Sequence, residues 1–537
     1  MKPTARLRLF LSGAITIVVC SFNTHAQTIT KADNTSLLNN AASYVSGGPP
    51  NVGGTNTILI DGTFTATRTA ALGANIAVAG INQDSTADFQ FQISNTAGLA
   101  LTIGSGGVTK ASTINGAGLI FANAVTLGAN QTWTIAGGGT GNNLQMNGAF
   151  SDGGNTLAVT GTGTFDLRGT NTFGSNVTID TTVSVNGAAA TVTLGGANTM
   201  NTLNIPSGRV IGATLNNFGV ASNFGDGGTN TAIALGNTTN GVMEYSGITA
   251  TSNRTVNRDA RSAASGIDVT TPGQTLTLTS NLGSGSQTNA GTNGWTFGGA
   301  GNLTLNGVIS NATGGGSTGT SITKNNGGTL TLGSTTNSYT GATDVLGGKL
   351  VVNGNISTSS LTTVAVDATL GGVGTVGKTI VNGTLAVGNS PGVMTFTNTL
   401  GLNGTTIMEI DGIAGVGVVG GHDFANLTGS GAAGVLTYGG AMTLDMGVIF
   451  GIGSRSWNLF DMASETGTFT TIALTDKYSG SLLDGDLNGV WDLTSGDNTW
   501  QFTESTGVLG LTVVPEPRAA LLGGLGILAL LRRRRAR

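Results

Sequence analysis

The sequence predicts an all-β fold, an elongated right-handed parallel β-helix (a solenoid) ended by a C-terminal β cap. Three observations predict it. Short runs such as Thr329-Leu330-Thr331-Leu332 alternate hydroxyl and apolar side chains, the period-two pattern of a strand with one buried face. Gly and Asn, which adopt positive φ readily, separate these runs. With 91 Gly against 8 Pro, glycine and asparagine rather than proline must break the strands. Finally, the strand–turn–strand unit of 327–354 recurs in degenerate copies on both sides. One unit has too few apolar residues to fold alone, whereas stacked coils share one continuous core. Coils of about 20–25 residues would give roughly 15 coils before residue 400. Asn at repeated turn positions is expected to stack into ladders. A series of β-sandwiches is the alternative architecture, since it too uses short alternating strands.

Composition narrows the function classes. Charged residues are only 9% of the chain and mean hydropathy is +0.17, which does not fit a charged disordered polymer. Glycine has no triplet period, so collagen is excluded. Residues 1–26 read as a secretory signal peptide: Lys2, Arg6 and Arg8 precede an apolar run from Leu9 to Cys20, and Thr24-His25-Ala26 offers small residues for cleavage. Val19 is too large for Cys20 to serve as a lipoprotein cysteine. Cys20 is the only cysteine, so a cleaved chain would be stabilised by stacked strands and not by disulfides. The formal net charge is −4, but the signal peptide and the Arg-rich tail hold nine of the 22 cations. A chain trimmed at both ends carries about −12, which disfavours nucleic acid as a partner.

Taken in order, residues 27–56 lead in and 27–396 form the strand-repeat solenoid. Expected strand stretches, with their turn residues, include Thr57–Gly62, Leu101–Gly104, Val125–Asn130, Gln131–Ile135, Thr156–Thr160, Val177–Asp180, Thr191–Gly196, Thr275–Thr279 and Asn302–Gly307. No amphipathic helix is expected between residues 50 and 510. The segment 327–354, with Gly327-Gly328-Thr329-Leu330-Thr331-Leu332, Asn337-Ser338-Tyr339-Thr340-Gly341 and Gly347-Gly348-Lys349-Leu350-Val351-Val352-Asn353-Gly354, closely resembles the autotransporter-associated β-strand repeat. Gly298–Ser310 and Gly128–Trp133 resemble further pieces of such arrays. The resemblance implies a secreted β-solenoid and little about biochemical function. Residues 384–396 resemble the boundary that ends these arrays, and 397–512 read as the cap or a small β-domain continuous with the helix.

The tail, 513–537, reads as a sorting signal. Val514-Pro515-Glu516-Pro517 precedes an apolar run from Ala519 to Leu531 and then Arg532-Arg533-Arg534-Arg535. The run of 13 residues is short for a full span, which needs about 20. The arginines fit retention of the tail end in the cytoplasm. A plain membrane anchor is the alternative. The tripartite tail resembles the PEP-CTERM sorting signal. That resemblance implies recognition by an exosortase in the inner membrane and cleavage near Pro515–Pro517. It further implies export to the cell surface or extracellular matrix, often alongside exopolysaccharide. A true autotransporter would end in a β-barrel and not in an apolar segment.

Catalytic motifs are absent from the sequence. His422 is the single histidine outside the signal peptide, read as a surface loop or cap residue with no GxSxG elbow beside it. No HExxH, Walker loop or cysteine-ligand cluster occurs, and Gly314-Gly315-Gly316 lacks the following helix a phosphate site needs. Arg258-Asp259-Ala260-Arg261 reads as a surface ion pair. Asp484, Asp486, Asn488 and Asp492 fall at positions 1, 3, 5 and 9 of an EF-hand-like loop with Gly489 at position 6, but Ser495 stands where the bidentate Glu belongs. An Asp/Asn/Gly turn explains the same residues. No metal site, cofactor or catalytic residue is therefore expected. The leading expectation is an exported non-enzymatic surface or matrix protein that is adhesive or exopolysaccharide-associated. A β-helix carbohydrate-active enzyme and a passive spacer are the alternatives.

Overall fold

The computed structural model describes residues 27–513, apart from internal stretches of at most six residues (the longest 285–290 and 428–433), together with 525–532. The signal-peptide reading of 1–26 falls outside the described residues. Parallel ladders organise the chain, in sheets of 17, 13, 11 and 5 strands, and a separate sheet of four strands is antiparallel. The chain is therefore a parallel β-solenoid. Thirteen strands spaced by about 4.8 Å place the first and last of the second sheet about 58 Å apart.

The alternating runs form strands because their apolar residues stack in register. Leu276, Leu303, Leu330, Leu350, Leu370 and Leu385 are partners in successive coils, followed by Thr406, Met442 and Ile472. All nine are buried. The intervals along this column are 27, 27, 20, 20, 15, 21, 36 and 30 residues. Coil length thus varies more widely than sequence spacing suggests. Stacking holds the strands in register, and the solvent-facing turns absorb insertions. Among the described residues between 50 and 510 no α-helix occurs.

Aromatic side chains pack together in the early coils. Trp133 contacts Phe121, Phe150 and Phe165 at centroid distances of 5.9–6.2 Å. Its indole N–H donates to Gln131 Oε1 at 2.8 Å, and Gln131 Nε2 donates to the Ile103 and Ala129 carbonyls. The buried Gln131 thus converts a polar position into a bracket for the tryptophan.

Asparagine works differently from the expected ladder. Side-chain rungs join Asn353 to Asn389 and Asn382 to Asn403. More often an asparagine bonds to the backbone of neighbouring coils. Asn337 accepts from the Ile309 amide at 2.9 Å and donates to the Ser334 and Asn355 carbonyls at 2.9 and 3.1 Å. Asn198 repeats this three-way staple with the Ile179 amide and the Gly195 and Asn223 carbonyls. In both cases the residue two positions on is large and buried, Tyr339 and Met200. Backbone groups at a coil corner have lost their ladder partners, and a short amide reaches them. We expect Asn337→Ala to lower stability by about 1–3 kcal/mol, because it leaves the buried Ile309 amide without its acceptor. Asn382→Ala, on an exposed rung, should change it by less than about 0.5 kcal/mol. Urea unfolding curves of the two variants check the difference.

The core also holds cations. Lys31, Lys110 and Lys324 are almost fully buried. Lys324 lies in a column with Phe297, Val345 and Val364. Its Nζ donates to the Asn325, Asn326 and Gly347 carbonyls at 2.5, 2.9 and 3.2 Å. Lys31 Nζ reaches the Ala32 and Asn34 carbonyls, and Lys110 Nζ the Ser112 carbonyl. Each lysine occupies the last inward position before a turn and satisfies the turn carbonyls from inside. Burial lowers all three ammonium groups to about 8. Arg258 is a correction to the sequence reading: it is buried in the core and not at the surface, with its guanidinium over the Trp295 ring at 5.9 Å. Its place in an inward-facing strand position, Leu235↔Arg258↔Ser284, decides this. Asp259 and Arg261 lie outside the described residues.

The parallel ladders run on through 397–476, where Thr405–Ile410, Ala441–Met446 and Thr471–Asp476 pair successively. Antiparallel strands then close the end. Arg455–Asn458 pairs with Val508–Val513, which pairs with Asn498–Thr503, which pairs with Val490–Ser495. Phe502 packs on Tyr438, Phe460 and Phe469 of the last coils. The buried Glu504 accepts from Thr468 Oγ1, the Phe469 amide and Trp491 Nε1 at 2.8–3.1 Å. An open solenoid end would leave strand edges and core side chains in water, and this sheet covers them.

Candidate functional site

A group of chemically capable side chains surrounds the loop Gly388-Asn389-Ser390-Pro391-Gly392, inside the segment read as the array boundary. A cleft of about 290 Å³ here is lined by Lys349, Ser390, Glu409, Asp423 and Asp445. Glu409 and Asp445 are ladder partners on adjacent coils, so their side chains leave the same face. The loop is tight: Gly388 has φ +86°, Ser390 has φ +74°, and a Cβ on Gly388 would stand 2.5 Å from Asp423 Oδ1. Glycine at 388 is therefore a steric requirement.

Asp423 clasps this loop. Its Oδ1 accepts from the Gly392 amide at 2.7 Å and its Oδ2 from the Glu409 amide at 2.8 Å. Ser390 Oγ donates to Glu409 Oε1 at 2.9 Å. Burial pushes the Asp423 carboxyl up to about 7 even though the two amides favour its charged form. Burial, with Asp411 and Asp445 nearby, raises Glu409 as well. Two carboxylates with raised pKa resemble an acid–base pair in outline. However, both Asp423 oxygens hold backbone amides, so the carboxylate is engaged in positioning the loop rather than offered to a substrate.

His422, read from sequence as a surface loop or cap residue, is buried at 6% exposure within the 397–512 segment. The loop 411–423 folds back so that its neighbour Asp423 reaches the clasp. Its Nε2 lies 3.1 Å from the Asn458 carbonyl, which can only accept, so Nε2 carries the proton. Its Nδ1 has no hydrogen-bond partner among the described residues, and burial lowers the pKa of the ring.

The acidic loop at 484–492 is held as a turn. Asp484 accepts from the amides of Asn488 and Gly489, Asn488 Nδ2 donates to Asp486, and Asp492 accepts from Gln501. Leu487 and Gly489 take φ of +57° and +78°. No group of three or more metal-ligating side chains occurs among the described residues.

Val514, Pro515, Glu516 and Pro517 lie outside the described residues, as do Arg533, Arg534 and Arg535. Arg532 ends an exposed helix at 525–532. No helix among the described residues is long and apolar enough to cross a membrane.

One cluster escaped sequence reasoning altogether. Arg209 Nη1 donates to Glu244 Oε2 and to Asp268 Oδ2, joining three coils on the outer face of the second sheet. Positions separated by 35 and 24 residues meet only because coil lengths vary, and no fixed period in the sequence signals it. No protein-family model, no curated protein and no solved structure matches this chain.

Proposed function

We propose that this chain is an exported, non-enzymatic component of the cell surface or extracellular matrix. On this reading it associates with exopolysaccharide and is sorted by an exosortase acting on its tail in the inner membrane. The observation that carries the reading is the outer face of the ladders, where hydroxyl side chains repeat coil after coil, as in the column Thr277, Thr304, Thr331. Such a face is weakly charged and rich in donors and acceptors, which suits adhesion to a hydroxylated polymer. The engagement of both Asp423 oxygens weighs against hydrolysis or elimination at the one carboxylate cleft described above. The coils are taken to wind right-handedly, as nearly all parallel strand crossovers do.

Sorting supplies its own test. Proline fixes its own φ and disfavours helix at the residue before it, so the Pro515-Glu516-Pro517 sequence suits entry into a protease site. Pro515→Ala with Glu516→Ala should leave full-length protein in the inner membrane, while the parent reaches the surface without its Arg tail. Mass spectrometry of the surface form decides between a cleaved address and a retained anchor. Recovery of peptides from 521–531 there would establish the anchor.

A further inference from the structure

The Arg209 cluster borders an open cleft of about 300 Å³ on the second sheet. Two outward columns build it. One reads Arg209, Val242, Gly266, Thr296 and the other Ile211, Glu244, Asp268, Gly298 in successive coils. At Gly266 and Gly298 the columns lose their side chains, so the floor there is backbone. A Cβ on Gly298 would stand 2.7 Å from Asp268 Oδ1 and push that carboxylate out of its present position. The rim is Asn325 and Asn326, and Asn326 takes a φ of +62°. That rim is pinned from inside the solenoid, because Lys324 Nζ donates to both of their carbonyls.

We propose that this cleft is a binding subsite for one residue of a neutral polysaccharide whose chain runs along the stack of coils. The inference rests on the polysaccharide reading above and assigns it a place. Three features carry it. The Arg209 bonds engage one guanidinium nitrogen and one oxygen of each carboxylate, so a forked donor and carboxylate acceptors stand side by side. A sugar hydroxyl, which donates and accepts at once, matches such a pair. Among the lining residues the Arg209 cation is balanced by Asp268, and Glu244 beside them adds a negative charge, which favours a neutral ligand over a polyanion. The ion pairs and the internal lysine bonds fix the polar groups before any ligand arrives, which limits the ordering cost of binding. The volume lies at the lower end of small-molecule sites, suited to one sugar residue.

The test uses the exported protein on an array of neutral and uronic-acid oligosaccharides. Titration calorimetry follows with the neutral hexasaccharide that gives the strongest signal. Arg209→Ala with Asp268→Ala removes one charge of each sign and leaves the net charge unaltered. We expect binding to weaken about tenfold or more, in line with the loss of charge-assisted hydrogen bonds, while the β-sheet circular dichroism signal of the parent is retained. Thr296→Trp, which fills the cleft without touching the ion pairs, should weaken it similarly. Parent binding that survives in both variants overturns the subsite and leaves the polysaccharide reading standing. Absence of any parent binding overturns both. Binding confined to uronic-acid oligosaccharides overturns the neutral assignment.

Discussion

Thermal stability should pass through a minimum near pH 7–8 and rise on both sides, the reverse of the usual profile. Lys31, Lys110 and Lys324 are lowered to about 8 by burial, whereas in the unfolded chain they titrate near 10.5. Between these values the unfolded state binds more protons, so stability increases with pH. Each lysine should contribute on the order of 2 kcal/mol by pH 10. Burial raises Tyr44, Tyr339 and Tyr438, so the folded state resists their ionisation and stability falls again above pH 10. On the acid side, Asp423 is raised to about 7. Its contribution is complete below about 4 and is lost progressively as pH rises to 7, a difference on the order of 4 kcal/mol. Asp33 is held well below the usual range by Arg68 and Thr65, so acid stabilisation ends near pH 4. Melting temperatures at pH 4.5, 7.5 and 9.5 test the shape. A maximum at pH 7.5 would refute it. Lys324→Met should reduce the alkaline limb by about a third and leave the acid limb unchanged.

Asp423→Ala should release the Gly388–Gly392 loop and cost about 2–5 kcal/mol at pH 5, since two buried amides lose their acceptor. The loss should be smaller at pH 8, where the parent already carries the cost of an ionised buried carboxylate. Hydrogen exchange should accelerate at the Gly392 and Glu409 amides before it does in the leucine column. Equal stability of parent and variant at pH 5 would show that the clasp is dispensable. Ser390→Ala removes only the hydroxyl bond to Glu409 and should have a far smaller effect.

Much of the fold was legible because its determinants are local. The pattern of Thr329–Leu332 gives a strand with a buried face, and the same pattern at Thr275–Leu278 and Asn302–Leu305 gives its neighbours. Stacking follows from the shortage of apolar residues in any single unit. The candidate sites were far less legible. A lysine that ends an alternating run looks like an exposed charge until its ladder partners place it inward, as at Lys324 between Phe297 and Val345. Arg258 misleads in the same way: its charged neighbours in sequence suggest the surface, while its ladder partners place it in the core.

By itself, then, the sequence determined an all-β solenoid of stacked coils, its low charge, its lack of catalytic motifs and the tripartite order of its tail. Alternation and turn chemistry act within a few residues, so they can be read without knowing what lies across the coil. Only the tertiary structure decided coil lengths of 15–36 residues in the leucine column, the three-way asparagine staples, the Asp423 clasp and the meeting of Arg209 with Glu244 and Asp268. Each depends on register between coils, and register is set by the sum of many weak stacking contacts while the turns vary freely in length. A side chain's partner across the ladder is fixed by that sum and not by any residue beside it in the chain.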